Sequence, residues 1–244
     1  MNKKKIAVFV EGQAEYIFVR DFLNCWYGYD ADKLGIECLA LHADKFNKVP
    51  YPVGNRDSEN FYQIVNVGND RSVISKMMKE SERLSNVGFQ LIVGLSDMYG
   101  DDYHRVSQNR IISNELNVRF MQARQESIER SPQKDKLRFH FAIMEVEAWI
   151  LGMHRALQRI DSKLTPEWIA GQLHINIMDD PEKTYYHPAL VLDNVYGLAG
   201  KKYGKHEGDI YQITSVLSKE DYVDLLNSGR CPSFKTFIKE LVDF

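Results

Sequence analysis

Cysteine is scarce in this chain: three residues in 244, Cys25, Cys38 and Cys231, far apart and without a CxxC pair. An odd, scattered set excludes a disulfide framework and a structural zinc site of the usual spacing. A basic excess is missing as well. The formal net charge is −3, whereas a protein that coats nucleic acid regardless of sequence carries a surplus of Lys and Arg. Any nucleic-acid contact is therefore a local patch or is shared with a partner protein. Neither GxGxxG nor a Walker-type phosphate loop occurs, so ATP binding by this chain alone is not expected. Long apolar runs are absent: none approaches the ~20 residues of a membrane-spanning helix. In MNKKKIAVFV only five apolar residues precede Glu11, too few for the core of a secretory signal. A cytoplasmic location and no membrane partner are expected. There is no internal repeat and no low-complexity tract.

What is present is ordinary globular composition, 44% apolar and 27% charged, in a length that suits one large domain or two small ones. KIAVFV (5–10), IECLALHA (36–43), FYQIVNV, GFQLIVGLSD (88–97) and LRFHFAIM read as strands. The continuously apolar ones suit a sheet covered on both faces. AEYIFVRDFLNCWY has apolar residues at helical spacing. Asn69 or Asp70 is placed to cap the helix RSVISKMMKESERLS. DKFNKVPYPVGNRDSEN is rich in Pro, Asn, Asp and Gly and reads as a loop, with the composition of a mobile flap. YGDD is turn chemistry. A polar helix is expected over about 108–130, and AWILGMHRALQRI as one apolar helix. Strands alternating with helices imply an α/β fold with a mostly parallel sheet flanked by helices over 1–160. From 161 to 244 short amphipathic pieces separated by turn residues predict a helical C-terminal region packed on the sheet.

Three of the strand candidates deliver acids at their C-terminal ends: Glu11, Asp97, and Glu145 with Glu147. Parallel α/β sheets place their sites beyond those ends, so acids distant in sequence are expected on one edge. Glu15 follows Glu11 by four residues. Such a like-charge pair on a helix costs a few tenths of a kcal/mol unless a cation or the helix N-terminus compensates. Carboxylates without Cys suit a hard cation, Mg²⁺ or Mn²⁺. One or two such ions can stabilise the charge that builds up in phosphodiester cleavage. GKKYGKHEGD offers Lys201, Lys202 and Lys205 as further positive charge, or simply as a solvated loop.

VFVEGQAE, LIVGLSDMYGDD and FAIMEVEAWIL, in that order, resemble the metal-binding motifs of the Toprim fold. More narrowly, they resemble small standalone Toprim proteins related to the OLD-family nucleases. DDPEKT, YGK and CPSFKTFIKEL are similar to the helical C-terminus of those proteins, so the resemblance covers most of the chain. It implies Glu11 as a metal ligand and acid–base group, and Glu15 as the second acid of that motif. It implies Asp97 as the first aspartate of an Asp-x-Asp motif, and Glu145 and Glu147 as paired acids. Lys205 matches the late lysine best, with Lys202 second. On this reading Glu11, Asp97, Glu147 and Lys205 are catalytic, and Glu11, Glu15, Asp97, Glu145 and Glu147 hold metal. The pattern is broken at Tyr99, where an aspartate is expected; Asp101 or Asp102 is the substitute at hand. The implied activity is metal-dependent cleavage of DNA or RNA, as effector of a bacterial anti-phage system beside an ABC/SMC-like ATPase; the sequence leaves the oligomeric state open, a homo-oligomer included. The alternatives are a non-catalytic Toprim-like partner of that ATPase and, less favoured, a small-molecule phosphohydrolase.

The remaining conspicuous residues read as structural. Trp149 and Trp168 fit apolar helix patterns, and Trp26 and Tyr27 fit core or interface packing better than base stacking. His140 alternates with Phe139 and Phe141 in a strand. His104 follows YGDD and lies closest to the expected site. His187 and His206 carry little signal.

Overall fold

The computed structural model describes residues 3–43, 45–107 and 110–243. It is an α/β protein built on a six-stranded, mostly parallel sheet flanked by helices, with further helices following the last strand. The strands are β1 (Lys4–Val10), β2 (Leu34–His42), β3 (Lys45–Val53), β4 (Asn60–Asn66), β5 (Leu91–Asp97) and β6 (Leu137–Ala142). Their order across the sheet is β3-β2-β4-β1-β5-β6. β1 lies parallel between β4 and β5, with Val10 opposite Asn66 and Leu95. Ile6 to Val10 are buried throughout, as a central strand covered on both faces requires.

β3 corrects the sequence expectation of a loop or flap. Lys45–Val53 pairs antiparallel with β2, from His42 opposite Lys45 to Ile36 opposite Val53. Pro50 and Pro52 lie within it, which an edge strand tolerates because one side of its backbone needs no partner. The register slips between Ile36 and Cys38, opposite that proline-containing stretch. Asp44, at the start of the expected loop, is outside the described residues.

Contacts divide the chain into two compact units, residues 1–96 with 118–140, and residues 97–117 with 141–244. The first unit holds helix α1 (Gln13–Trp26), α2 (Asp70–Asn86) and most of α4 (Asn114–Glu129). Its core joins Ala7, Phe9, Val65 and Ile92 of the sheet to Val73, Met77 and Leu84 of α2 and to Ile128 of α4. The Asn69 side chain accepts the Ser72 N–H at 3.0 Å and starts α2 as its sequence suggests. Gly94 is needed for close packing: a Cβ there would meet the Phe139 ring at 2.6 Å.

The second unit holds α3 (Asp101–Val106), α5 (Val146–Gly152), α6 (Leu157–Ile160), α7 (Pro166–Leu173), α8 (Pro181–Thr184), α9 (Pro188–Leu198), α10 (Glu207–Thr214), α11 (Lys219–Asn227) and α12 (Pro232–Val242). The helix expected over 108–130 begins only at Asn114, and Gln108 and Asn109 are outside the described residues. AWILGMHRALQRI is not one helix. It breaks after Gly152, where a Cβ would meet Leu225 at 2.9 Å and Cys231 at 3.0 Å. Trp168 is 45% exposed rather than core; it sits in the first turn of α7, whose buried face is carried by Ile169. Trp149 is fully buried, stacked on Phe237 at 5.6 Å and edge-on to Phe234. Among the described residues no helix is long and apolar enough to cross a membrane.

Candidate functional site

α5 reads VEAWILG and is buried at every position. A helix that is apolar nearly all round has no solvent face to offer, so it carries its acids into the interior. Glu145, its N-cap, is 2% exposed and Glu147, in its first turn, 0%. The chain enters α5 through Met144, whose φ of 65° lies in the left-handed region that side-chain-bearing residues seldom adopt. The turn is tied to the segment after β5: Met98 N–H donates to Ala142 C=O at 2.9 Å and Tyr99 N–H to Met144 C=O at 2.7 Å. Asp97, the last residue of β5, is thereby brought to the same turn. One acidic oxygen from each of Asp97, Glu145 and Glu147 lies within 4.8 Å of the others, and the trio can hold a metal ion.

The carboxylates share a pattern. Each has one oxygen engaged by a protein donor, while the other faces the Lys205 amine. Asp97 Oδ1 accepts the Val146 N–H at 3.0 Å, and its Oδ2 is 3.8 Å from Lys205 Nζ. Glu145 Oε2 accepts the Ala189 N–H at 2.8 Å and pairs with His187 Nδ1 at 3.0 Å; its Oε1 takes Lys205 Nζ at 2.8 Å. Glu147 Oε1 accepts the Tyr203 hydroxyl at 2.8 Å, and its Oε2 is 3.3 Å from Lys205 Nζ. Three oriented oxygens thus surround one cationic point. Donors that fix ligand orientation in this way are what metal sites use outside their ligands.

Three carboxylates against one ammonium leave an excess of negative charge in a place with little water, which burial makes costly. The titration directions reflect this. Burial drives the Glu147 carboxyl above the ordinary range, against the pull of Lys205, and the neighbouring Glu145 charge adds to the rise. Burial acts on Glu145 too, but Lys205, the Ala189 N–H and His187 outweigh it and hold that carboxyl below the usual range. The two carboxyls act on each other and titrate as a pair. Lys205 is opposed by its own burial, yet the charges of Glu147, Asp97 and Glu145 raise it well above a free lysine. Its side chain is 36% exposed, because the stem reaches solvent while the amine turns inward.

A ring array borders the cluster. His187 stacks on Tyr99 with centroids 4.7 Å apart and planes 23° from parallel. Tyr99 also meets His104 edge-on at 4.4 Å and Tyr186 at 5.6 Å. The Tyr186 hydroxyl is 2.7 Å from the Ser107 hydroxyl and 3.2 Å from His104 Nδ1.

The cluster takes all its members from the second unit, whereas Glu11 and Glu15 belong to the first. Glu11 directly follows β1 and is half-buried. Glu15 is 4% exposed and accepts the Gly12 N–H at 2.8 Å, closing the N-terminus of α1. That is the helix-end role its position permits. Asp101 and Asp102 start α3, where Asp102 pairs with Arg105 at 2.7 Å, and neither joins the trio. Lys201 and Lys202 are exposed.

Sequence reasoning passed over His187 and Tyr203. Both lie in turn-rich stretches without periodicity, and only the packing of α9 and of the 199–206 loop against α5 gives them a partner. The one usable signal was Tyr203 in YGK. Comparison with protein-family models, with curated proteins and with solved structures finds no match for this chain.

Proposed function

We propose that the protein is a divalent-metal-dependent nuclease, cleaving phosphodiester bonds of DNA or RNA, whose metal is held by Asp97, Glu145 and Glu147. The observation that carries this is the grouping of the three carboxylates, with one oxygen of each within 4.8 Å of the others and one oxygen of each held by a protein donor. The donor set fits Mg²⁺ or Mn²⁺, which prefer hard oxygen ligands. One divalent ion beside Lys205 would bring the three carboxylates to neutrality. A bound ion would supply charge stabilisation for a phosphoryl oxygen and activation of a water. The chain's own contribution is orientation: Val146 N–H, Ala189 N–H, His187 and the Tyr203 hydroxyl hold the carboxylates, and Lys205 adds a positive charge where negative charge develops. Glu11, from the sequence resemblance alone, is assigned as a further ligand and acid–base group. The same resemblance to Toprim proteins of the OLD type supplies the setting: a cytoplasmic effector of anti-phage defence, acting with an ABC/SMC-like ATPase.

The test is calorimetric titration with Mn²⁺ together with cleavage of labelled DNA and RNA, alone and with the ATPase. Asp97→Ala and Glu11→Ala are expected to abolish cleavage while leaving the circular-dichroism spectrum unchanged. Wild-type cleavage by Asp97→Ala in Mg²⁺ refutes the site.

One observation favours a second reading, a non-catalytic partner of the ATPase. The Lys205 amine already stands among all three acids, and the upward shift of the Glu147 carboxyl lessens the cluster's excess negative charge without metal. No Mn²⁺ heat and no cleavage in the presence of the ATPase would establish that reading.

A further inference from the structure

We propose that the Tyr99–His187 stack is a platform for one unpaired nucleobase, so that the site acts on single-stranded rather than duplex nucleic acid; this rests on the nuclease reading above. Three features point to it. His187 is anchored by Tyr99 against its ring and by Glu145 on Nδ1, and its side chain is still 43% exposed. An imidazole held flat with surface to spare can continue a stack. The platform is also rigid: Tyr99 is wedged by His104 and Tyr186, and the Tyr186 hydroxyl is fixed by Ser107 and His104. Pre-set rings lose little conformational freedom when a ligand arrives.

The platform adjoins the acids covalently and by hydrogen bond. Tyr99 is two residues beyond Asp97, and His187 bonds Glu145 directly. A base on the stack therefore places its flanking phosphate beside the cluster. Stacking accepts any base because every base has a π face. The tyrosine that breaks the expected acidic motif thus acquires a role of its own, as a specificity-determining residue.

The test uses the full chain in Ca²⁺ buffer with 12-nucleotide DNA and RNA single strands carrying 2-aminopurine, and with the same strands in duplex. Binding is expected to quench the fluorescence of the single strands, which bind more tightly than the duplexes. Tyr99→Ala and His187→Ala are expected to weaken single-strand binding by roughly 5- to 100-fold, the worth of one stacked base, and to weaken duplex binding less. His187→Phe and Tyr99→Phe keep a flat ring and are expected to retain the quenching, which separates stacking from loss of the Glu145 contact or of folding. Equal binding of duplex and single strand overturns the proposal, as does equal weakening by His187→Phe and His187→Ala, or no binding to either form. Mn²⁺-dependent cleavage of duplex as fast as of single strand by the wild type overturns it while leaving the nuclease reading intact. Quenching that survives without any cleavage leaves the platform standing and removes the nuclease.

Discussion

Removing the Lys205 amine is the sharpest test of how the cluster is held together. Lys205→Met keeps the apolar stem and deletes the charge. It leaves Glu145 and Glu147 buried and Asp97 nearly so, without the cation that lies 2.8, 3.3 and 3.8 Å from them. Breaking a buried ion pair from one side costs about 3–5 kcal/mol. Because the lysine side chain is 36% exposed, water softens the loss, and the lower bound of about 3 kcal/mol is the expectation. For a chain of this size that lowers Tm by roughly 6–12 °C, read by thermal unfolding in EDTA. Mn²⁺ should then stabilise the variant more than the wild type, since the ion takes over a charge the variant lacks; an ion at a hundred times its Kd adds ~2.7 kcal/mol. The pH response follows with a definite sign. Without the amine, the folded-state carboxyls rise above their unfolded value, so the folded chain binds more protons, and the variant regains stability as pH falls toward that value. Adding Glu147→Gln to Lys205→Met should recover part of the loss, because it deletes one of the uncompensated charges. A variant melting within ~2 °C of wild type in EDTA, or strict additivity of the two changes, would show that the ion-pair geometry carries no energy.

Two further predictions concern stability. Burial drives the Glu182 carboxyl up to about 7, although it accepts hydrogen bonds from the Ser233 hydroxyl and N–H and from the Trp149 indole. Between its unfolded value of 4.5 and about 7 the folded chain holds the extra proton. Stability therefore declines as pH rises across that window, by up to about 1.4 kcal/mol per pH unit. Urea midpoints from pH 5 to 8 should show the decline in wild type and a flatter profile in Glu182→Gln; identical profiles would contradict the assignment. In the first unit, Gly35→Ala would put a Cβ 1.9 Å from the Asn55 backbone carbonyl oxygen. Backbone there must move, so a loss of about 1–3 kcal/mol is expected, and an unchanged denaturant midpoint would mean that the 54–59 turn is not seated against β2.

Much of the fold was legible because strand and helix signals are local. KIAVFV and GFQLIVGLSD announce buried strands by unbroken apolar content, and Asn69 caps α2 where its side chain predicts. β3 was misread because Pro50 and Pro52 are turn signals in isolation, and only its place at the sheet edge makes them tolerable. Trp168 was misread because helical periodicity gives spacing, not which neighbours the face meets.

The sequence by itself determined the chemistry available: hard oxygen donors, no thiolate set, and acids placed where strands give way to helices. Tertiary structure decided which acids meet. Asp97, Glu145 and Glu147 are joined because the β5 and β6 ends bond to each other and α5 is buried on every side. Glu15, equally conspicuous in the sequence, spends an oxygen on Gly12 N–H instead. Lys205, His187, Ala189 and Tyr203 arrive from 40 to 60 residues away. No local pattern encodes such contacts, because they follow from how the later helices pack around a buried helix and not from the residues beside them in the chain.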